Sequence, residues 1–437
     1  MAQIPLNFCA NLCSHLKKII HSDSFISRHK IAPPHFTRKR CLSFPTLILF
    51  LINFLKRSLQ SELDAFFQAL HDTSTPLRQV TKSAFCQARH KLSHRAFLEL
   101  NHHLVAFVET HSPLKTWQGF RLLAIDETTL QVPANAATTA HFDPQPDAAP
   151  VNRLMARASQ LYDLLNHFTL NAVLAPYRVD ERELALSHGP SLRSQDLILL
   201  DRGYPAFWFF VWMLSRSAHF CARVSPDSWS VVKRFSRSGK KEQWVTLHPT
   251  APSRNQCHAY GLSLAPIRVR LLRISFPGAE DTLLLTSLLD SSLYPRSLFQ
   301  DLYHLRWGIE ENFKTMKSRL EMENFTGKSV ESIHQDFHAK IFSLNLAAAF
   351  LQPVQAQVDQ ECLESSTRYQ VNLTYALSCL KGTLVRLFQC LRPHRLLRRL
   401  FQLFRRTLEP VRPFRTFRRK KVIRDHPTFF TCYKPTA

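Results

Sequence analysis

Two stretches of the sequence end an apolar run on an acid. "LLAID" closes on Asp126 and "LILLD" closes on Asp201, which Arg202, Gly203 and Tyr204 follow. A buried strand that ends this way puts a carboxylate at the carboxyl edge of a sheet, where sites form. If the two strands are neighbours, the two charges lie close and repel unless a cation sits between them. Mg²⁺ suits such a place, because it takes a few carboxylates together with water and phosphate oxygens. Two such ions can activate an attacking oxygen and stabilise a leaving one in an in-line phosphoryl transfer. An Asp after a strand also starts turns and caps helices, so neither run is decisive alone. Glu127, next to Asp126, points to the opposite strand face and is not a co-ligand by default.

A third acid comes from "YHLRWGIEENFKTMKSRLEMENFTGKS", residues 303–329, which reads as one amphipathic helix. At about 100° per residue with Tyr303 at zero, Arg306 falls at about 300°, Glu310 at about 340°, Lys314 at about 20° and Lys317 at about 320°. Glu311 falls at about 80°, to one side. Glu310 is therefore the acid framed by Tyr, Arg and Lys. A solvated helix with i,i+4 charge pairs such as Glu310 and Lys314 fits the same spacing.

Taken together these residues resemble a known family. Tyr303, Arg306, Glu310 and Lys317 match the Tyr-Arg-Glu-Lys signature of DDE transposases of the insertion sequence four family. "AIDETTL" looks like that family's first catalytic block and "LLDRGY" like its second, and the third acid follows a β-rich insertion as it does there. The resemblance covers about residues 50–350.

It implies an RNase H-like core in which Asp126, Asp201 and Glu310 bind two Mg²⁺ ions, with Mn²⁺ as a substitute. It implies hydrolysis at transposon ends, then strand transfer by the freed 3′ hydroxyl. Tyr303, Arg306 and Lys317 would lie on the DNA, and Lys314, outside the signature, would add a phosphate contact or partner Glu310. Trp244 or Trp229 of the insertion is a candidate for stacking a flipped base, with strand packing as the plainer role. The implied partners are double-stranded DNA, as inverted-repeat ends and as target, and a second copy of the chain in a synaptic dimer. The implied setting is bacterial, in the cytoplasm at the nucleoid. A transposase-derived protein that binds DNA without cutting it is the alternative, and a nuclease without strand transfer is a third.

The rest of the chain must position these residues. At 437 residues it is long enough for two or three structural units, and 45% hydrophobic content supplies a core. The net charge of +24 implies a polyanionic partner. From Lys381 onward 12 Arg and 4 Lys face only Glu409 and Asp425, a net of +14, and Arg alternates with Phe and Leu. Such a segment packs its apolar side on protein and offers Arg to phosphates; Pro410 and Pro413 argue against a membrane-surface helix. The 10 Cys contain no Cys-x-x-Cys pair, which excludes a zinc ribbon and a disulfide framework. The apolar run 42–55 has 14 residues and contains Pro45, too short to span a membrane, and reads as a buried helix.

The element pattern predicts an α/β mixed sheet with flanking helices, which the resemblance implies is RNase H-like. Residues 1–115 form a helical DNA-end-binding domain, 116–224 the first part of the core, and 225–295 a β-rich insertion that includes "WSVVKRF". Residues 296–350 form the second part with the Glu310 helix, and 351–437 a basic helical region. A polar loop is expected over 134–152.

Overall fold

A computed structural model describes residues 6–75, 78–143, 153–275, 281–363, 367–390 and 392–411. The basic tail beyond residue 411, Pro413 included, lies outside the described residues. The chain divides into two compact units. One holds residues 1–113, 130–155 and 315–437; the other holds 114–129 and 156–314.

In the first unit, α1 (Leu6–Ile20), α2 (Asp23–His29), α3 (Phe44–Leu51), α4 (Leu59–His71), α5 (Lys82–Arg89) and α6 (Arg95–His111) precede the sheet. Most starts are sequence-encoded caps. Ser43, Ser58 and Thr81 each accept a hydrogen bond from a backbone N–H in the first turn of α3, α4 and α5. α3 is the apolar run expected to be buried, and Phe44 and Leu47 to Leu51 are inside.

The second unit carries the sheet. In chain order its elements begin with β1 (Arg121–Gln131), which is followed by α7 (Ala136–Phe142) of the first unit, then β2 (Met155–Asp163), β3 (Phe168–Pro176), α8 (Glu181–Leu186), β4 (Asp196–Leu200), α9 (Phe207–Leu214) and β5 (His219–Arg223). There follow α10 (Ser230–Arg237), β6 (Glu242–Leu247), α11 (Ala251–Ala259), β7 (Ile267–Ile274), β8 (Thr282–Thr286), α12 (Leu298–His304) and α13 (Trp307–Ser318). The eight strands run in the order β3-β2-β1-β4-β5-β8-β7-β6. β1, β4 and β5 are parallel, and β5, β8, β7 and β6 pair antiparallel, so the sheet is mixed. This is an RNase H-like α/β arrangement with helices on the sheet and a helical N-terminal region. β4 is buried at every position, as expected of a strand with parallel neighbours on both sides. α9 is buried on nearly every face, from Phe207 to Met213, and packs on β5.

The first unit continues with α14 (Val330–Glu361), β9 (Tyr369–Val371), α15 (Leu373–Gln389), α16 (His394–Arg405) and β10 (Leu408–Pro410). α6 packs along α14, and α16 packs on α1, α14 and α15. α16 buries Leu397, Leu400, Phe401 and Phe404 and exposes Arg395, Arg398 and Arg399, the division that interleaved Arg and Leu dictates.

Three local expectations fail. "WSVVKRF" is helix α10: its β-branched pair suggested a strand, but Val232 and Phe235 are buried at i,i+3 spacing. The polar loop contains α7, closed by a capping box between Asn135 and Thr138. The Glu310 helix is two helices, α12 and α13, joined by a tight turn at Leu305 and Arg306. There the N–H groups of Arg306 and Gly308 reach back to the carbonyls of Tyr303 and Leu305, at 3.2 and 2.9 Å.

Candidate active site

β1 and β4 are parallel neighbours, and the register pairs Leu123 with Ile198 and Ala124 with Leu199. Two residues beyond the last pair stand Asp126 and Asp201, side by side at the carboxyl end of β4. Asp201 directly follows β4, but Asp126 does not end its strand as expected: β1 runs on to Gln131. Their burial differs from that of the strands behind them: Ala124 and Leu199 are fully inside, whereas both acids are half-buried.

α12 and α13 bring up the third acid. Gly308 lets the start of α13 lie close to the β2–β3 hairpin; a Cβ there would stand 3.1 Å from Leu164 Cδ2. Glu310, in the first turn of α13, is half-buried, with 27% of its side chain exposed, whereas Glu311 is 66% exposed. Arg306, in the turn between the helices, is 5% exposed; its guanidinium lies 2.7 Å from Glu310 Oε1 and 3.9 Å from Asp126 Oδ2. Its Nε is buried without a hydrogen-bond partner among the described residues. Tyr303, on α12, is buried and its hydroxyl donates to Leu200 O at 3.3 Å and Asp201 Oδ1 at 3.4 Å. The structure thus brings together Asp126, Asp201, Tyr303, Arg306 and Glu310. Lys314 is exposed on α13 and pairs with Glu311, while the ion pair of Glu310 is with Arg306. Lys317 is half-buried in the last turn of α13 and falls in the first unit.

The electrostatics are those of crowded acids around one fixed cation. Burial pushes the Asp126 carboxyl up to about 6, and the charges of Glu310 and Asp201 add to this; the backbone N–H of Glu127 and the Arg306 guanidinium oppose it. The Glu127 side chain belongs to a separate cluster. It pairs with Arg157 at 2.8 Å, and its carboxyl is raised by burial and by Glu181.

The donor set around Arg306 is all carboxylate oxygen, the type that hard divalent cations such as Mg²⁺ and Mn²⁺ take. The acids fit such ions in kind: they repel one another, and the buried positive charge available to them is a guanidinium. Among the described residues the three carboxylates do not converge within 4.8 Å of one another; the group that does is His94, His334 and His338.

That histidine group was not anticipated, although "HQDFH" carries two imidazoles at i,i+4 spacing on one helix. His334 and His338 lie on α14 and His94 at the start of α6, all in the first unit. Burial holds the His334 imidazole down at about 4, helped by His94 and His141, and it keeps the His338 imidazole well below its usual value. The three rings could coordinate a metal ion, and they are nitrogen donors, a different class from the acids.

Comparison with known proteins decides the family. The family profile described as Transposase DDE domain matches residues 117–346, more than half of the chain. The chain belongs to the DDE transposase family. The chain is similar to "Transposase InsG for insertion sequence element IS4" from Escherichia coli strain K12. The two are 25% identical over 271 residues, which is 61% of this chain and 60% of the relative. The chain spans about 60% of that relative's length. A solved piggyBac transposase synaptic complex with hairpin DNA aligns with 90% of this chain and 84% of its own at 12% identity, with a TM-score of 0.40.

The two insertion tryptophans are both engaged. Trp244, 37% exposed, donates from Nε1 to Leu289 O at 2.9 Å under the Arg270 guanidinium, and Trp229 stacks on Phe210. No helix among the described residues is long and apolar enough to cross a membrane.

Proposed function

We propose that this chain is an active cut-and-paste transposase whose catalytic acids are Asp126, Asp201 and Glu310. The observation that carries the reading is the placement of Asp126, within β1, beside Asp201, the residue that follows parallel β4, with Glu310 joined to Asp126 through Arg306. Family membership supports it, since these acids lie inside the matched DDE domain.

In this reading the three carboxylates would hold two Mg²⁺ or Mn²⁺ ions, which would supply Lewis-acid activation of an oxygen nucleophile and charge stabilisation for the leaving oxygen. The residues of the chain do the rest. Asp126 sits on β1 and Asp201 directly follows β4, so the paired strands fix their spacing before DNA arrives. Tyr303 holds Asp201 in place through its hydroxyl. Arg306 neutralises the acids and turns toward the phosphate as negative charge builds there. Lys314 and Lys317 follow the strand along α13 as phosphate contacts. In the first step water adds to phosphorus and the bond to the bridging oxygen breaks, leaving a 3′ hydroxyl and a 5′ phosphate. In the second, that 3′ hydroxyl attacks a phosphorus of target DNA and displaces a target 3′ oxygen. The substrate is double-stranded DNA, as inverted-repeat ends and as target. Two ends must meet, so two copies of the chain act in one synapse, in the bacterial cytoplasm at the nucleoid.

The test uses DNA carrying the element's own ends. The wild-type chain nicks it in Mg²⁺ or Mn²⁺ and joins the freed ends to a target. Asp126→Asn, Asp201→Asn and Glu310→Gln each lose at least 10³-fold in cutting yet still shift the DNA in a gel. Cutting by any of the three at the wild-type rate removes the assignment. Binding without cutting by the wild type selects the alternative of a non-catalytic DNA-binding protein, and cutting without joined product selects a nuclease.

A further inference from the structure

The His94, His334 and His338 group stands apart from the acids in chemistry and in place. One nitrogen from each ring lies within 4.8 Å of the other two. The rings are grouped closely: His94 and His334 centroids are 4.9 Å apart at 31°, His94 and His338 are 5.7 Å apart at 17°, and His334 and His338 are 6.1 Å apart at 14°. Ordinary packing explains a histidine that has found hydrogen-bond partners. It does not explain His334, whose Nδ1 is buried with no partner among the described residues. An imidazole nitrogen in that condition costs free energy unless something accepts its lone pair.

His94 is oriented by a carboxylate. Its Nδ1 lies 2.9 and 3.0 Å from the two oxygens of Glu331, which also accepts from the His94 backbone N–H. A donating Nδ1–H leaves Nε2 as the lone-pair nitrogen. A carboxylate holding the far nitrogen of an imidazole is the usual outer support of a zinc-binding histidine. Glu331 begins α14, His334 and His338 follow on the same helix, and Phe142 lies 6.0 Å from His334 as an apolar wall.

We propose that His94, His334 and His338 form a binding site for a borderline divalent metal of the zinc class, with Glu331 as its outer-shell support. Three neutral imidazoles exclude Mg²⁺, which takes oxygen, and favour Zn²⁺, Co²⁺ or Ni²⁺. Tetrahedral coordination at Zn–N distances of about 2.1 Å needs nitrogens about 3.4 Å apart. The three nitrogens already lie within 4.8 Å of one another, and side-chain rotation would bring them to that spacing. Solvent takes the fourth position. The metal would clip the start of α6 to the first turns of α14, segments about 240 residues apart in sequence. The inference is independent of the assignment of the acids.

The test uses the full-length chain without a histidine tag and Zn²⁺ alone as the probe. The expected result is one zinc per chain after dialysis, measured by atomic emission. Co²⁺ should give the visible bands of a tetrahedral nitrogen site in the same stoichiometry. The His334→Ala, His338→Ala double variant loses the site, and Glu331→Gln, which keeps all three ligands, binds Zn²⁺ about 10–100-fold more weakly. Asp126→Asn binds it as the wild type does, and millimolar Mg²⁺ does not displace it. If the double variant does not fold, the Glu331→Gln shift and the Co²⁺ spectrum carry the test. Zinc bound equally by wild type and double variant, no stoichiometric zinc in the wild type, or wild-type affinity in Glu331→Gln overturns the proposal.

Discussion

Arg306 sits 2.7 Å from Glu310 and 3.9 Å from Asp126, so one buried guanidinium neutralises acids from a strand and a helix. Removing it leaves half-buried carboxylates facing one another without a counter-charge. Arg306→Ala should therefore unfold more easily in chelator, by about 1–3 kcal/mol. Added Mn²⁺ should recover more stability in the variant than in the wild type, because Glu310 no longer has a competing partner. Parallel thermal melts with and without Mn²⁺ check this. Equal Mn²⁺ gains in the two proteins would mean that Arg306 does not stand where the ions bind.

Glu310 and Glu311 are neighbours in sequence with different surroundings. Glu310 faces Arg306, while Glu311 points to solvent with Lys314, and an exposed i,i+3 pair contributes little. Glu310→Gln should lose at least 10³-fold in end cutting, and Glu311→Gln less than about threefold. Single-turnover cleavage of the same DNA compares them directly. A large loss in Glu311→Gln would relocate the third acid.

Asp126 makes the metal-free fold sensitive to pH. Its carboxyl rises from 3.8 to about 6 through burial, with Glu310 and Asp201 adding to the shift and Arg306 and the Glu127 N–H opposing it. For a raised carboxyl the folded chain binds the proton more tightly than the unfolded chain. The stability linked to that proton is whole below about pH 4 and is lost as pH rises through about 6. In chelator, Asp126→Asn should thus be more stable than the wild type above pH 6, by at most about 3 kcal/mol, and the two should converge near pH 4. Urea unfolding across that range reads the difference. A constant gap at all pH values would show that Asp126 is not strained.

Much of the fold was legible because its signals were local. "LLAID" and "LILLD" are short apolar runs that end on acids, a length and pattern that favour buried strands. Strand adjacency was not legible, since it depends on pairing between residues about 75 apart; only the parallel register of β1 with β4 sets Asp126 beside Asp201. The single-helix arithmetic around Glu310 separated it from Glu311 but failed across the turn at Leu305 and Arg306, where bonds tighten to i−3. Tyr303 and Arg306 nevertheless reach the same site, the guanidinium lying 5.8 Å from the Tyr303 ring. Tyr303 turns inward to Leu200 and Asp201, and Arg306 meets the acids. The histidine group needed His94 as well, and no spacing links it to His334.

Arg89 gives a prediction about the first unit that depends on none of the site chemistry. It is 2% exposed, and each nitrogen of its guanidinium donates a hydrogen bond. Nε donates to Gln335 Oε1 at 2.8 Å, one terminal nitrogen to Thr326 Oγ1 at 2.6 Å, and the other to Ser332 O and Asp336 Oδ1 at 3.0 Å each. Asp336 in turn accepts from the Thr326 backbone and hydroxyl. The network ties α5 to the start of α14 and to the turn before it. Arg89→Ala leaves the Asp336 charge buried with only neutral donors, and such a break costs about 3–5 kcal/mol. Arg89→Ala with Asp336→Ala should lose less than the sum of the single losses, because the stranded charge is gone. A double-mutant cycle by chemical denaturation measures the coupling. Simple additivity would show that the pair does not act as a unit.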